Sequence, residues 1–499
     1  MNQHNGPDGV APSSGESVPS AASAHGVPPP AVSPASTAPP AASQSAASQS
    51  AASHPQEPLP VSFSEALRYW LKLGFISFGG PAGQIAIMHA ELVEKRRWIS
   101  EARFLHALNY CMVLPGPEAQ QLATYIGWLM HRTWGGIVAG VLFVLPSLFI
   151  LIALSWIYIA FGNTTLVAGL FYGIKPAVTA IVLQAAHRIG SRALKGAVPW
   201  GIAAASFVAI FAFNVPFPAI VIAAGIIGAL HGRFNPDAYQ GGGHGAGGIK
   251  TYGSAVIDDH TPTPPHALFT WARLTRVAVM GLLLWAIPMA AMTAVWGWQH
   301  TLTQMGWFFT KAALLTFGGA YAVLPYVYQG AVTDFGWVTP VQMIDGLALG
   351  ETTPGPLIMV VAFVGFVGGY VKARFGPESL FLAGAAAAAI VTWFTFLPSF
   401  IFILAGGPLV ETTHGNLKFT APLSAITAAV VGVIVNLALF FGYHVLWPAG
   451  FGGNWIANAD WISALIALGA AVALFRFKRN VIHVIGACAL TGLLVHLAR

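Results

Sequence analysis

The chain has 499 residues, 56% of them hydrophobic and only 8% charged, with a mean hydropathy of +0.68. No water-soluble globular domain of this size has that balance, and the composition points to an all-α polytopic membrane protein. The 23 basic and 17 acidic residues are scattered between apolar stretches, which excludes a nucleic-acid surface, and Cys111 and Cys488 sit in apolar runs, too few for a disulfide framework or a cysteine metal site.

Residues 1–60 are an Ala/Ser/Pro tract without Lys or Arg and without the apolar core of a signal peptide, and are expected to form a disordered tail. Apolar elements follow at 63–88, 104–130, 134–160, 166–186, 199–213 and 216–230, several near the roughly 20 residues that span a bilayer. A Gly/His/Pro-rich connector at 232–270 interrupts them, and its His244, His260 and His266 are not expected to bind metal. Hydrophobicity resumes at 271–296 and continues at 306–328, 341–370, 380–404, 422–443, 461–475 and 481–497.

The second set of elements repeats the first. "TFGG" from Thr316 superposes on "SFGG" from Ser77 at an offset of 239, which also aligns Lys72 with Lys311, Trp98 with Trp337, and Pro115-Gly116-Pro117 with Pro354-Gly355-Pro356. One offset holding from Lys72 to Pro117 is not chance. Further on, "LPSLFI" from Leu145 aligns with "LPSFIF" from Leu397 at 252, so the second half carries about 13 extra residues. The predicted organisation is a first repeat over 61–231, the connector over 232–270, one additional helix over 271–297 and a second repeat over 298–499. An even number of crossings in the first repeat lets the additional helix turn the second repeat over, which predicts inverted topology.

Charge orients the pair. Arg188, Arg192, Lys195, Arg233, Lys250, Arg273, Arg276, Arg476, Lys478 and Arg479 fall on one side, whereas "GNTT", "FNVPFP" and "WGWQHT" on the other carry no Lys or Arg. The basic side is therefore cytoplasmic, with the N-terminus. "EKRRW" at 94–98 joins that side if the FGG and PGP segments are re-entrant, and its counterpart "TDFGW" at 333–337 joins the other; Lys372 and Arg374 are the exceptions.

Pro115 and Pro117 lack an N–H and disfavour helical geometry in the preceding residue, so an apolar run must break into two half-helices there. Unwound backbone at membrane depth survives only where protein buries it or where it lines a cavity. A half-helix starting at Pro117 presents free N–H groups and a positive dipole end, an anion site made of backbone. The second copy at Pro354-Gly355-Pro356 and the breaks at Phe78-Gly79-Gly80 and Gly318-Gly319 make four such ends.

These motifs, "LGFISFGGPAGQIAIMHAELVEKRRW" from Leu73 and "LPGPEAQQLATYIGW" from Leu114 with the counterparts "LLTFGGAYAVLP" and "TTPGPL", resemble the chromate ion transporter family in its two-domain long form. The resemblance runs from about residue 64 to the C-terminus. It implies a prokaryotic transporter of the bacterial inner membrane, a secondary transporter that exports chromate and confers resistance, with sulfate as the physiological look-alike. Expected partners are that oxyanion and the lipid bilayer, with a homodimer as one assembly open to it. The second half has Ala320 in place of Pro81 and Leu357 in place of Glu118, so the halves cannot contribute equally.

Ionisable groups inside such a block are costly unless they work or reach its rim. Lys72 and Lys311 are repeat equivalents and would offer two ammoniums to one dianion, unless they reach for headgroups; Lys175 lies midway along its segment. Glu118 sits in the first turn of a half-helix, where it caps or competes with the anion. Glu351 lies near a half-helix C-terminus, where dipole and desolvation disfavour charge, which makes it the better proton carrier. Gln121, Thr352 and Thr353 could donate to oxyanion oxygens or simply cap helices. Neither the cysteines nor "GGGHGAGG" supplies redox ligands or a dinucleotide fingerprint, so no cofactor and no embedded reductase is expected, while an anion channel remains the alternative.

Overall fold

The computed structural model describes residues 60–235, 252–372, 375–412, 420–451 and 454–499. Residues 1–59 of the expected tail, the centre of the connector with His244 and Lys250, and Arg374 lie outside the described residues. The described chain is helical and has no strand; one isolated bridge joins Ile99 to Ile257.

The element expected at 63–88 is a hairpin of two short helices. α1 (Phe63–Ile76) starts under a Ser62 side-chain cap and stops at Ser77; Gly79 (φ 89°) and Gly80 (φ 68°) then turn the chain in a conformation that side chains resist. α2 (Gly80–His89) continues through a π turn, Ala90–Lys95, back alongside α1. The far end of the return touches the start of the hairpin, because Arg96 Nη1 lies 3.1 Å from Glu65 Oε1, and its guanidinium covers the Tyr69 and Trp98 rings.

The second hairpin forms in the same way. α3 (Glu101–Val113) ends at the Pro-Gly-Pro break, α4 (Glu118–Phe161) leaves it, and Tyr110 meets Tyr125 across the break with ring centroids 5.8 Å apart. α4 then doubles back at His131 and Arg132, the latter with φ 57°. Its two arms approach through Gly127, Gly135 and Gly136, where a Cβ would strike the facing backbone. His131 Nε2 pairs with Val61 O at 2.9 Å and His266 Nε2 with Trp128 O at 2.9 Å, so the start of α1, the turn of α4 and the connector share one end of the molecule.

α5 (Thr165–Ala193), α6 (Ala197–Phe213) and α7 (Phe217–Phe234) complete the first repeat. α8 (Trp271–Trp296) leaves the connector end and finishes where Trp296 stacks on His300 and lies 5.9 Å from Phe375. Beyond it the first repeat's elements recur: α9 (Thr301–Leu314), α10 (Ala320–Tyr328), a π turn at Gln329–Asp334, α11 (Pro340–Thr352), and a 3-10 turn Leu357–Met359 leading into α12 (Val360–Val371). Both π turns and the bounds of α3 and α11 match at the 239 offset, and Arg97 (φ 52°) is matched by Gly336 (φ 58°). α13 (Leu380–Thr412) stands in for the outer arm of α4, and the extra residues of the second half fall between α12 and α13.

α14 (Thr420–Leu446), α15 (Trp461–Phe475) and α16 (Val481–Ala498) close the chain by exchange: α6 and α7 pack on α14, while α15 and α16 pack on α5. Among the described residues seven helices are long and apolar enough to cross a membrane. α8 is one of them, and it exposes Leu282, Ile287 and Val295, a surface suited to lipid rather than water.

Candidate functional site

The four motif breaks meet between the repeats. The Gly116 N–H donates to Thr316 O at 2.7 Å, and the Gly355 N–H donates to Ser77 O at 2.8 Å. These two bonds are equivalents at the 239 offset, each tying the Pro-Gly-Pro of one repeat to the FGG break of the other. Gln84 reinforces one of them: its Nε2 donates to Gly355 O at 2.5 Å and to Ser77 O at 3.3 Å. Gly116 (φ 133°) and Gly355 (φ 111°) hold conformations that a side chain resists, and neither has room for one. A Cβ on Gly355 would stand 2.7 Å from Ser147 Cβ, and one on Gly116 would overlap Ser399 Oγ, so each glycine rests on the Leu-Pro-Ser serine of the other repeat.

Helix starts differ in capping, and α5, α6 and α7 begin without a side-chain cap. α1, α3, α8, α11, α15 and α16 start under side-chain caps from Ser62, Ser100, Thr270, Thr339, Asp460 and Asn480. The helical segments that start at the breaks, behind Gly79, Pro117, Gly319 and Pro356, have no side-chain cap. Their first-turn N–H groups have no side-chain cap, and a helix N-terminus of this kind favours negative charge.

The carboxylates differ in surroundings. Glu118 faces the second repeat's break, its Oε1 3.7 Å from where a Cβ on Gly319 would be. Glu351 is buried and accepts a hydrogen bond from the Tyr321 hydroxyl. Arg188 and Arg192 lie one turn apart on α5, a helix that packs on α11.

Other expected residues lie elsewhere or are already engaged. Gln121 Nε2 donates to Pro115 O at 2.8 Å, holding the break from within. Thr352 and Thr353 donate their hydroxyls to carbonyls of their own helix, Ala348 and Leu349, so both act as helix-end donors. Lys72 is exposed on α1, and Lys311 Nζ sits 5.8 Å over the Trp307 ring; neither is brought to the breaks. Lys175 is held by Asp345. Lys72→Ala and Lys311→Ala are therefore expected to change oxyanion uptake by no more than about twofold, the scale of a surface substitution. A larger loss at normal expression would return the lysines to the site.

Sequence reading missed Gln84 at the breaks and the pairing of Asp345 with Lys175. Gln84 left one signal, an amide seven residues past Ser77 in an otherwise apolar half-helix.

Broken helices meeting between two repeats, inside a bundle of membrane-length helices, mark a multi-pass membrane protein. The family model for the chromate transporter matches residues 64–229 and again 303–493, and the chain belongs to the chromate transporter family. It is 33% identical over 442 residues to a chromate transport protein of Pseudomonas aeruginosa, covering 88% of this chain and 94% of that one. A chromate transport protein of Cupriavidus metallidurans is 28% identical over 435 residues, 87% and 93% of the two chains. A probable chromate transport protein of Synechococcus elongatus is 29% identical over 387 residues, 77% and 86%. No solved structure matches the chain.

Proposed function

We propose that this protein is a secondary transporter that exports chromate across the bacterial inner membrane, driven by the proton gradient, and thereby confers chromate resistance. The observation that carries the reading is the meeting of four uncapped helix N-termini at cross-repeat hydrogen bonds, a centre of positive backbone ends fit for a tetrahedral dianion. The names of the relatives supply the anion. In this reading Phe78, Gly79, Gly80, Pro115, Gly116, Pro117, Gln121, Gly318, Gly319, Pro354, Gly355 and Pro356 shape the site, and Glu118 and Glu351 carry protons. The test is chromate uptake into everted membrane vesicles, with and without an uncoupler, with sulfate as competitor. Saturable, uncoupler-sensitive uptake is expected; linear flux with driving force would make the protein a channel, and stronger competition by sulfate than by unlabelled chromate would change the substrate.

Proton carriage by Glu351 has its own test. Glu351→Gln keeps an acceptor for Tyr321 but holds no exchangeable carboxyl proton. The variant is expected to bind chromate and to lose gradient-driven uptake; uptake equal to wild type would remove Glu351 from the coupling path.

Membrane topology is testable in the same terms. Arg96 stands at the connector end of the molecule, rich in Lys and Arg, whereas Phe335 packs on Trp337 at the opposite end of α8. With the basic end cytoplasmic, Arg96→Cys should resist an impermeant maleimide on intact cells and Phe335→Cys should react; Cys111 and Cys488 are buried and give little background. Labelling of both from outside would defeat the inverted arrangement.

A further inference from the structure

The six helices α5–α7 and α14–α16 form one bundle, and it rests unevenly on the motif hairpins. α10 lies under α14 and α7, with every residue from Ala320 to Val327 buried. Its counterpart α2 buries only Gln84 and Met88 and leaves Gly79, Ala82 and Ala86 exposed. The bundle leans on the second repeat and leaves the first repeat's break open.

Among the described residues one ion pair crosses from this bundle to the hairpins. Lys175 Nζ on α5 lies 3.5 Å from Asp345 Oδ2 on α11. The same oxygen accepts from the Tyr158 hydroxyl of α4 at 2.8 Å, while Asp345 Oδ1 is buried and accepts no hydrogen bond. Glu411, near the connector end, is held differently. Arg103 at 2.5 Å and the Tyr125 hydroxyl at 2.5 Å occupy its two oxygens, and all three residues belong to the motif hairpins and α13. A buried carboxylate with one oxygen unspent is costly to keep, and 3.5 Å exceeds the roughly 2.7–2.9 Å of a tight charge-assisted bond. Lys175–Asp345 is therefore built more weakly than the buried Arg103–Glu411 pair.

Its position gives that weakness a use. Asp345 precedes Glu351 by six residues on α11, which places it about 9 Å along the helix axis toward Pro340 and away from the breaks. It stands between the anion centre and the end of the molecule that carries loop 335–338. We infer that Lys175 and Asp345, braced by Tyr158, form the gate closing the site toward that end, and that transport requires them to part as the bundle swings from α10 and α11 toward α2. The inference rests on the transporter reading above.

The test uses full-length protein in liposomes carrying Lys175→Cys with Asp345→Cys, treated with a short bifunctional methanethiosulfonate. Crosslinking is expected to stop chromate uptake and leave chromate binding, measured by equilibrium dialysis, in place; a reductant should restore uptake. Undiminished uptake after confirmed crosslinking would overturn the gate. Should the double cysteine variant not insert, the exchanged pair Lys175→Asp with Asp345→Lys decides: recovery of uptake above both single variants supports the gate, and no recovery overturns it. Loss of binding in the wild type itself would instead sink the transporter reading on which the gate depends.

Discussion

Gly116→Ala and Gly355→Ala are each expected to abolish chromate uptake and to lower the melting temperature of the purified protein. Three effects coincide at both positions. A side chain at their positive φ costs about 1–2 kcal/mol, overpacking against the Leu-Pro-Ser serine adds about 1–3 kcal/mol, and weakening the cross-repeat N–H bond adds about 1 kcal/mol. The combined loss, about 3–6 kcal/mol, is a large share of the roughly 5–15 kcal/mol that holds a folded chain together. Gly80 provides the contrast, because it shares the positive φ but has no atom within 4 Å of where a Cβ would stand. Gly80→Ala should show strain alone, and Gly80→Asn, which tolerates left-handed backbone, should recover most of it. Equal effects at Gly80, Gly116 and Gly355 would mean that close approach between the repeats is not what those glycines provide. Thermal unfolding and vesicle uptake on the same preparations separate the cases.

The second large effect is expected from Pro115→Ala with Pro117→Ala. Each change restores an N–H and removes the steric bar to helix in the preceding residue, so α3 and α4 gain the means to run together. An unbroken apolar helix is at ease in lipid, and expression should hold. The uncapped N-terminus behind Pro117 disappears, however, and with it the backbone donors aimed at the anion. Uptake per inserted molecule should collapse, and Pro354→Ala with Pro356→Ala should do the same from the other repeat. A break that served only as a kink would give the reverse pattern, with yield falling and surviving protein transporting normally.

Much of this architecture was legible because the repeat is written in residues that dictate backbone. Pro-Gly-Pro and Gly-Gly can hardly be helical, and the breaks appear where those motifs fall; α8, expected at 271–296, has those bounds. The turn of α4 at His131 and Arg132 falls between the elements expected at 104–130 and 134–160, but how closely its two arms approach was not legible, because that is set by glycines facing each other across it. Side-chain direction was the other blind spot. The spacing of Lys72 and Lys311 showed that they are equivalent, but not that their helix face points away from the breaks. Gln84 and Gly355 lie 271 residues apart, and no local pattern reports such a contact. Asp345 lay inside an apparently continuous apolar segment, where only its meeting with Lys175 and Tyr158 distinguishes it.

The central claim is that both repeats build one oxyanion site. Equilibrium dialysis of purified protein against labelled chromate, at saturating concentration, tests it most directly. One chromate per chain is expected for the wild type, and none for either proline double variant, because each removes half of a shared centre. Two chromates per chain, with one lost in each variant, would contradict the shared site and leave each repeat with a site of its own.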